Sequence, residues 1–164
     1  MTLPSPVVGS LETILVVDDN EDVLNVVLAI LRAAGFKLLS CGSGAEALEL
    51  ASATSGKIDL LLADIDMPQM SGPVLGEELK KTRPDLHVML MSGGSEGSLL
   101  VLNYGWAFIE KPFVRGKLVE MITSVLHSPD RSQPGGKEFD SRKDEGMTEA
   151  HLASGRPPVA ALQT

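Results

Sequence analysis

The sequence predicts an α/β fold in which a parallel sheet is wrapped on both faces by helices joined through right-handed crossovers. Three observations lead there. Five short apolar runs alternate along the chain with segments whose apolar residues repeat at helical spacing. The central run, Ile58–Ala63, is apolar at all but one position, as suits a strand covered on both faces. Every run stops abruptly at polar or turn-forming residues, with no long structureless insert between elements.

Met1–Ser10, with two prolines and a glycine, reads as a flexible arm. Thr13–Val17 is β-branched and leucine-rich, hence a buried strand. It ends at Asp18-Asp19-Asn20, where Asn20 can cap a helix and Glu21 and Asp22 favour its first turn. Val23, Val27, Ile30, Leu31 and Ala34 mark that helix, and Gly35 closes it. Phe36–Cys41 is a second strand, and Ser43 or Gly44 opens a helix through Ala53. After the central strand and Asp64, the residues Asp66, Pro68, Ser71 and Gly72 mark a tight loop. Pro73 suits a first helical turn, and Val74–Thr82 reads as the helix that follows. His87–Met91 is the fourth strand, Glu96–Asn103 a short helix, and Trp106–Ile109 the fifth strand. Phe113–His127 is a final amphipathic helix with Leu118, Ile122, Val125 and Leu126 on its apolar side. From Ser128 the composition turns to Pro, Gly, Ser and mixed charge, so 128–164 is expected to be a disordered tail beside one domain over 11–127.

Bulk properties narrow the function. The net charge is −8, and the acid excess lies before the tail, with 9 Lys+Arg against 16 Asp+Glu up to His127. A nucleic-acid-binding surface would need a basic face instead. Cys41 is the single cysteine, which excludes an internal disulfide or a thiolate metal site and reads as a small buried hydrophobe. Neither a signal peptide nor an apolar stretch of membrane-spanning length is evident, so the expected setting is cytoplasmic.

Parallel strands bring their carboxyl ends to one edge, where open α/β sheets place their chemistry. That edge receives Asp18 and Asp19, Asp64, Ser92 and Lys111 from four different strands. An isolated Asp64 would read as a helix cap, but three carboxylates, a hydroxyl and an ammonium on one rim are poor packing material. Like charges 4 Å apart repel by about 4 kcal/mol at an effective dielectric near 20. Protons or a hard divalent cation must offset them, and Mg²⁺ fits a set of oxygen ligands. Such a rim suits a phosphoryl group, and a carboxylate can itself attack phosphorus to give an acyl phosphate.

VVDD at Val16–Asp19, LLLAD followed by IDMPQMSG, MS at Met91-Ser92 and KPF at Lys111–Phe113 together resemble the response-regulator receiver domains (CheY-like) of two-component signalling. The likeness covers about Glu12 to His127. It implies a doubly wound, flavodoxin-like sheet of strand order 2-1-3-4-5. It implies Asp64 as phosphoacceptor, with Mg²⁺ held by Asp18, Asp19, Asp64 and the backbone carbonyl of Asp66. Ser92 matches the switch hydroxyl, Lys111 the family's lysine and Phe108 the switch aromatic, and the Lys111-Pro112 bond resembles one that is cis. The partners implied are a sensor histidine kinase or phosphotransfer protein and a downstream protein target. The implied role is a signalling phosphoacceptor acting as a single-domain regulator, not an enzyme with turnover. The family also pairs into homodimers through the face around the 92–111 segment. Here that segment is shorter by most of a helical turn, which is expected to alter the pairing.

Two other readings use the same residues. Asp64-Ile65-Asp66 copies the DxD of haloacid-dehalogenase-type phosphatases, with Asp64 as nucleophile and Asp66 as general acid. Against it, the motif is not on the first strand, no Thr follows, and Asp18-Asp19 would go unexplained. A phosphate-independent interaction module on the same fold would leave the acids, hydroxyl and lysine without a task. Ser92–Gly97 (SGGSEG) lacks a following Gly-Lys-Ser/Thr and reads as a hinge. Met67 and Met70 read as loop packing, Tyr104 and Trp106 as edge or core residues. His87, His127 and His151 stand apart from the acid rim.

Overall fold

A computed structural model describes residues 11–94 and 104–128. The expected arm at 1–10, most of the tail, and the helix expected at Glu96–Asn103 lie outside the described residues. Among the described residues nine elements follow one another: β1 (Thr13–Val17), α1 (Glu21–Ala33), β2 (Lys37–Cys41), α2 (Gly44–Ala53), β3 (Leu60–Asp64), α3 (Gly72–Thr82), β4 (His87–Ser92), β5 (Ala107–Glu110) and α4 (Arg115–His127). The strands form one sheet of order β2-β1-β3-β4-β5, and every neighbouring pair is parallel. This is the doubly wound order that the resemblance implied.

Period-two alternation divides the strand side chains between two cores. Leu15, Val17, Leu61, Ala63, Val88 and Leu90 pack on one face with Ala47 and Ala51 of α2 and Leu75 and Leu79 of α3. Ile14, Val16, Leu60, Leu62, Met89 and Met91 pack on the other with Val27 and Leu31 of α1 and Leu118 and Ile122 of α4. All five residues of β3 are buried, which is why its sequence does not alternate. Among the described residues no helix is long and apolar enough to cross a membrane.

The caps follow the sequence closely at most helix ends. The Asn20 side chain accepts from the N–H groups of Asp22 and Val23, and Ser43 accepts from Glu46. Gly35 leaves α1 with a φ of 95°, a conformation that favours glycine. Several boundaries shift: β4 takes in Ser92, and β3 runs Leu60–Asp64. Phe36 belongs to the helix exit, its N–H donating to Leu31, so β2 starts at Lys37. Helix α3 starts two residues earlier than expected: Ser71 takes the cap position and Pro73, lacking an N–H, sits in the first turn. Strand β5 runs one residue later at each end, and α4 begins at Arg115 with Val114 before it as cap.

Candidate functional site

Four strand ends meet at the carboxyl edge. Backbone bonds extend the ladders just past the strands: Asp18 N–H donates to Cys41 O at 3.4 Å, Ile65 N–H to Met91 O at 2.9 Å, and Lys111 N–H to Ser92 O at 2.7 Å. The residues that leave the sheet are therefore held by it. Asp18 continues the alternation of Ile14 and Val16, Asp64 that of Leu60 and Leu62, and Lys111 that of Ile109, so all three emerge on the α1/α4 side.

Asp18, Asp19 and Asp64 each offer a carboxylate oxygen, and these atoms lie within 4.8 Å of one another. Asp18 is 1% exposed and Asp64 7%, whereas Asp19 is exposed. The Lys111 ammonium bridges two of them, donating to Asp18 Oδ2 at 2.8 Å and to Asp64 Oδ1 at 3.1 Å. The other Asp18 oxygen accepts from the Asn20 N–H at 2.9 Å, which fixes that carboxylate in place. Among the described residues one ammonium meets three carboxylates, which leaves the cluster short of positive charge. Burial pushes the Asp64 carboxyl above the ordinary aspartate range, Lys111 pulls against this, and the negative charges of Asp18 and Asp19 add to the upward push. For Lys111 burial works downward, but the bonds to Asp18 and Asp64 outweigh it and raise the ammonium above its usual value. A donor set of three hard carboxylate oxygens, with a net charge deficit, fits a divalent cation of the Mg²⁺ kind.

The remaining predicted residues stand differently. Ser92 is buried on the same edge but continues the alternation of Leu90, so it leaves the sheet on the α2/α3 side. Its hydroxyl donates to the Gly94 carbonyl at 2.7 Å and is not among the partners of Asp64. Phe108 is partly buried in that same core, opposite Leu90 in the β4/β5 register. Asp66 is exposed on the loop after β3. The loop is closed by Gly72 N–H donating to Ile65 O at 3.0 Å, and a Cβ at Gly72 would overlap the Asp64 carbonyl, so only glycine fits. Asp64 is not a helix cap; Ser71 occupies that position. The Lys111-Pro112 bond is cis.

Other expectations resolve simply. Met67 is buried and Met70 lies against Gly44. Cys41 is half-buried, and burial followed by the nearby Glu46 pushes its thiol up to about 11. His127 lies far from the three-acid cluster along the chain yet sits 3.6 Å from the Glu12 carboxylate.

The family model of the response regulator receiver domain matches residues 14–123. The chain belongs to this family. Sensor kinase CckA of Brucella abortus is 32% identical over 121 residues, which is 72% of this chain and 13% of that protein. The DNA-binding transcriptional regulator NtrC of Escherichia coli is 31% identical over 140 residues, 82% of this chain and 29% of that one. The chain thus spans less than a third of the length of these two relatives. Among solved structures, a CheY-like response regulator receiver domain protein of Methanospirillum hungatei superposes with a TM-score of 0.64 at 32% identity, covering 71% of this chain and 94% of that one.

Proposed function

We propose that the chain is a phosphoacceptor switch in which Asp64 takes a phosphoryl group from the phosphohistidine of a sensor histidine kinase or a phosphotransfer protein. The observation that supports this most strongly is the cluster itself: three carboxylates in mutual reach, two of them bridged by Lys111. In the transfer, an Asp64 oxygen forms a bond to phosphorus while the phosphorus–nitrogen bond breaks, and the histidine nitrogen leaves with the electron pair. Lys111 moves its donation from the Asp64 carboxylate to a phosphoryl oxygen. Asp18, Asp19, Asp64 and the Asp66 carbonyl would hold Mg²⁺, which would supply charge neutralisation for the transferred group.

The product carries about −1.5 to −2 charge and strong acceptor oxygens. Ser92 exchanges its Gly94 partner for one of them, and Phe108 follows into the space vacated. The modification biases a two-state equilibrium rather than driving turnover of a substrate. Water later attacks the acyl phosphate, releasing inorganic phosphate and restoring the carboxylate.

Incubation with acetyl phosphate and Mg²⁺ followed by intact-mass measurement tests the assignment. Wild type gains one phosphoryl group and Asp64→Asn gains none; equal labelling of both would overturn it.

A further inference from the structure

Helix α3 is pressed against the sheet at two glycines four residues apart, hence on one face of the helix. At Gly72 a Cβ would meet the Asp64 carbonyl and lie 3.2 Å from Leu90. At Gly76 it would lie 2.9 Å from the Trp106 ring and 3.2 Å from Val88. Glycine inside a helix weakens it relative to alanine, and the close seat of the indole is what Gly76 admits. Tyr104 stacks on the same indole, with ring centroids 4.7 Å apart and planes at 20°. Gly105 between them has a φ of 67°, a conformation that favours glycine. Trp106 lies two residues before Phe108, and both pack in the core that contains Leu90 and Leu75. None of Trp106, Tyr104 and Gly76 has a task in the phosphotransfer described above.

We propose that Trp106 is a positioning residue that couples the phosphoacceptor to helix α3. Seated on Gly76, the indole carries rearrangement around Leu90 and Phe108 to the helix whose first turn abuts the Asp64 carbonyl. The inference rests on Asp64 being the phosphoacceptor. Coupling of this kind is reciprocal, so a change that unseats the indole alters affinity for a phosphoryl mimic by the factor with which the mimic shifts the helix.

Trp106 is the single tryptophan, so its emission reports this seat alone. The full chain is treated with acetyl phosphate and Mg²⁺, with phosphorylation followed by intact mass in the same sample. Phosphorylated wild type shows altered Trp106 emission and altered amide exchange over Glu77–Thr82, the part of α3 beyond the Asp64 loop. Trp106→Leu still labels, loses the phosphorylation-dependent difference over Glu77–Thr82, and changes affinity for beryllofluoride with Mg²⁺ by about fivefold or more. A merely structural indole would change exchange equally in both states. Gly76→Ala reproduces the affinity change, and in the Trp106→Leu background, where the added methyl no longer meets the ring, Gly76→Ala costs less stability than it does in wild type. Full labelling of Asp64 with unchanged emission and exchange would overturn the coupling while leaving the phosphoacceptor standing. Absence of labelling would remove both.

Discussion

Asp59, just before β3, and Asp64, the last residue of that strand, do opposite things. Asp59 accepts the Thr13 N–H on Oδ2 at 2.8 Å and pairs through Oδ1 with Lys57 at 2.9 Å. Its own backbone donates to Thr13 O and accepts from His87 N–H, so one residue ties β1, β3 and β4 together at the amino edge. Every demand of that carboxylate is met locally. Asp64 instead shares a single ammonium with Asp18 while Asp19 adds further negative charge. An acid whose partners are complete holds a fold together, whereas an acid left short of positive charge is a place for a ligand.

The largest contrast lies in chemistry. Asp59→Asn is expected to take up phosphoryl from acetyl phosphate as wild type does, because the amide oxygen still accepts the Thr13 N–H. Asp64→Asn takes up none. Loss of labelling in Asp59→Asn, with its melting curve intact, would break the distinction between the two ends.

Stability should separate them next. Lys111→Met leaves two buried carboxylates without their cation, costing about 3–5 kcal/mol, read as a lower urea midpoint in chelator. Asp59→Ala removes the acceptor of a partly buried N–H and costs about 1–2 kcal/mol. Asp64→Asn goes the other way. Burial first, then Asp18 and Asp19, hold the Asp64 carboxyl above its ordinary 3.8 despite Lys111. The folded chain therefore binds that proton more tightly than the unfolded chain does. This group's contribution to stability is fully present below the ordinary value and is lost as pH rises through the raised one. In chelator at pH 7 the Asn variant is expected to melt higher than wild type. The gap should close as pH falls toward the ordinary aspartate range. A gap that widened on acidification would contradict the raised carboxyl.

Much of this contrast could be read from the chain before folding. Asp18 and Asp64 are each the first polar residue after an apolar run, and a parallel sheet sends such residues to one edge. Lys111 came to the same edge one residue past Glu110. The strand order needed the family resemblance, because alternation of strands and helices does not by itself specify which strands are neighbours. Side-chain direction was less legible. The Ser92 hydroxyl donates to the Gly94 carbonyl two residues on, a choice of partner that no sequence pattern announces. Arg83 donates to the carbonyls of Ala51, Thr54 and Gly56, joining the end of α2 to the end of α3 from about thirty residues away. No local pattern announces such a reach. The seat of Trp106 did leave a trace: a glycine in the middle of a helix costs roughly 1 kcal/mol relative to alanine, and Gly76 invites the question of what lies against it.

The smallest expected effect sharpens the comparison further. Lys57 is exposed, and its bond to Asp59, with that carboxylate's charge, raises its ammonium above the usual value. Solvent and salt screen such a surface pair, so Lys57→Met is expected to cost about 0–0.5 kcal/mol and to leave phosphoryl uptake unchanged. Asp59 loses only one of its two partners in that variant and keeps the Thr13 N–H. Lys111→Met, by contrast, removes the one ammonium that both Asp18 and Asp64 use. Two lysine-to-methionine changes, each deleting an ion pair under 3.2 Å from an aspartate, should therefore differ severalfold in urea midpoint shift. If they proved equal, the charge balance at the carboxyl edge would not be what distinguishes Asp64, and the argument for a ligand there would have to stand on the three carboxylates alone.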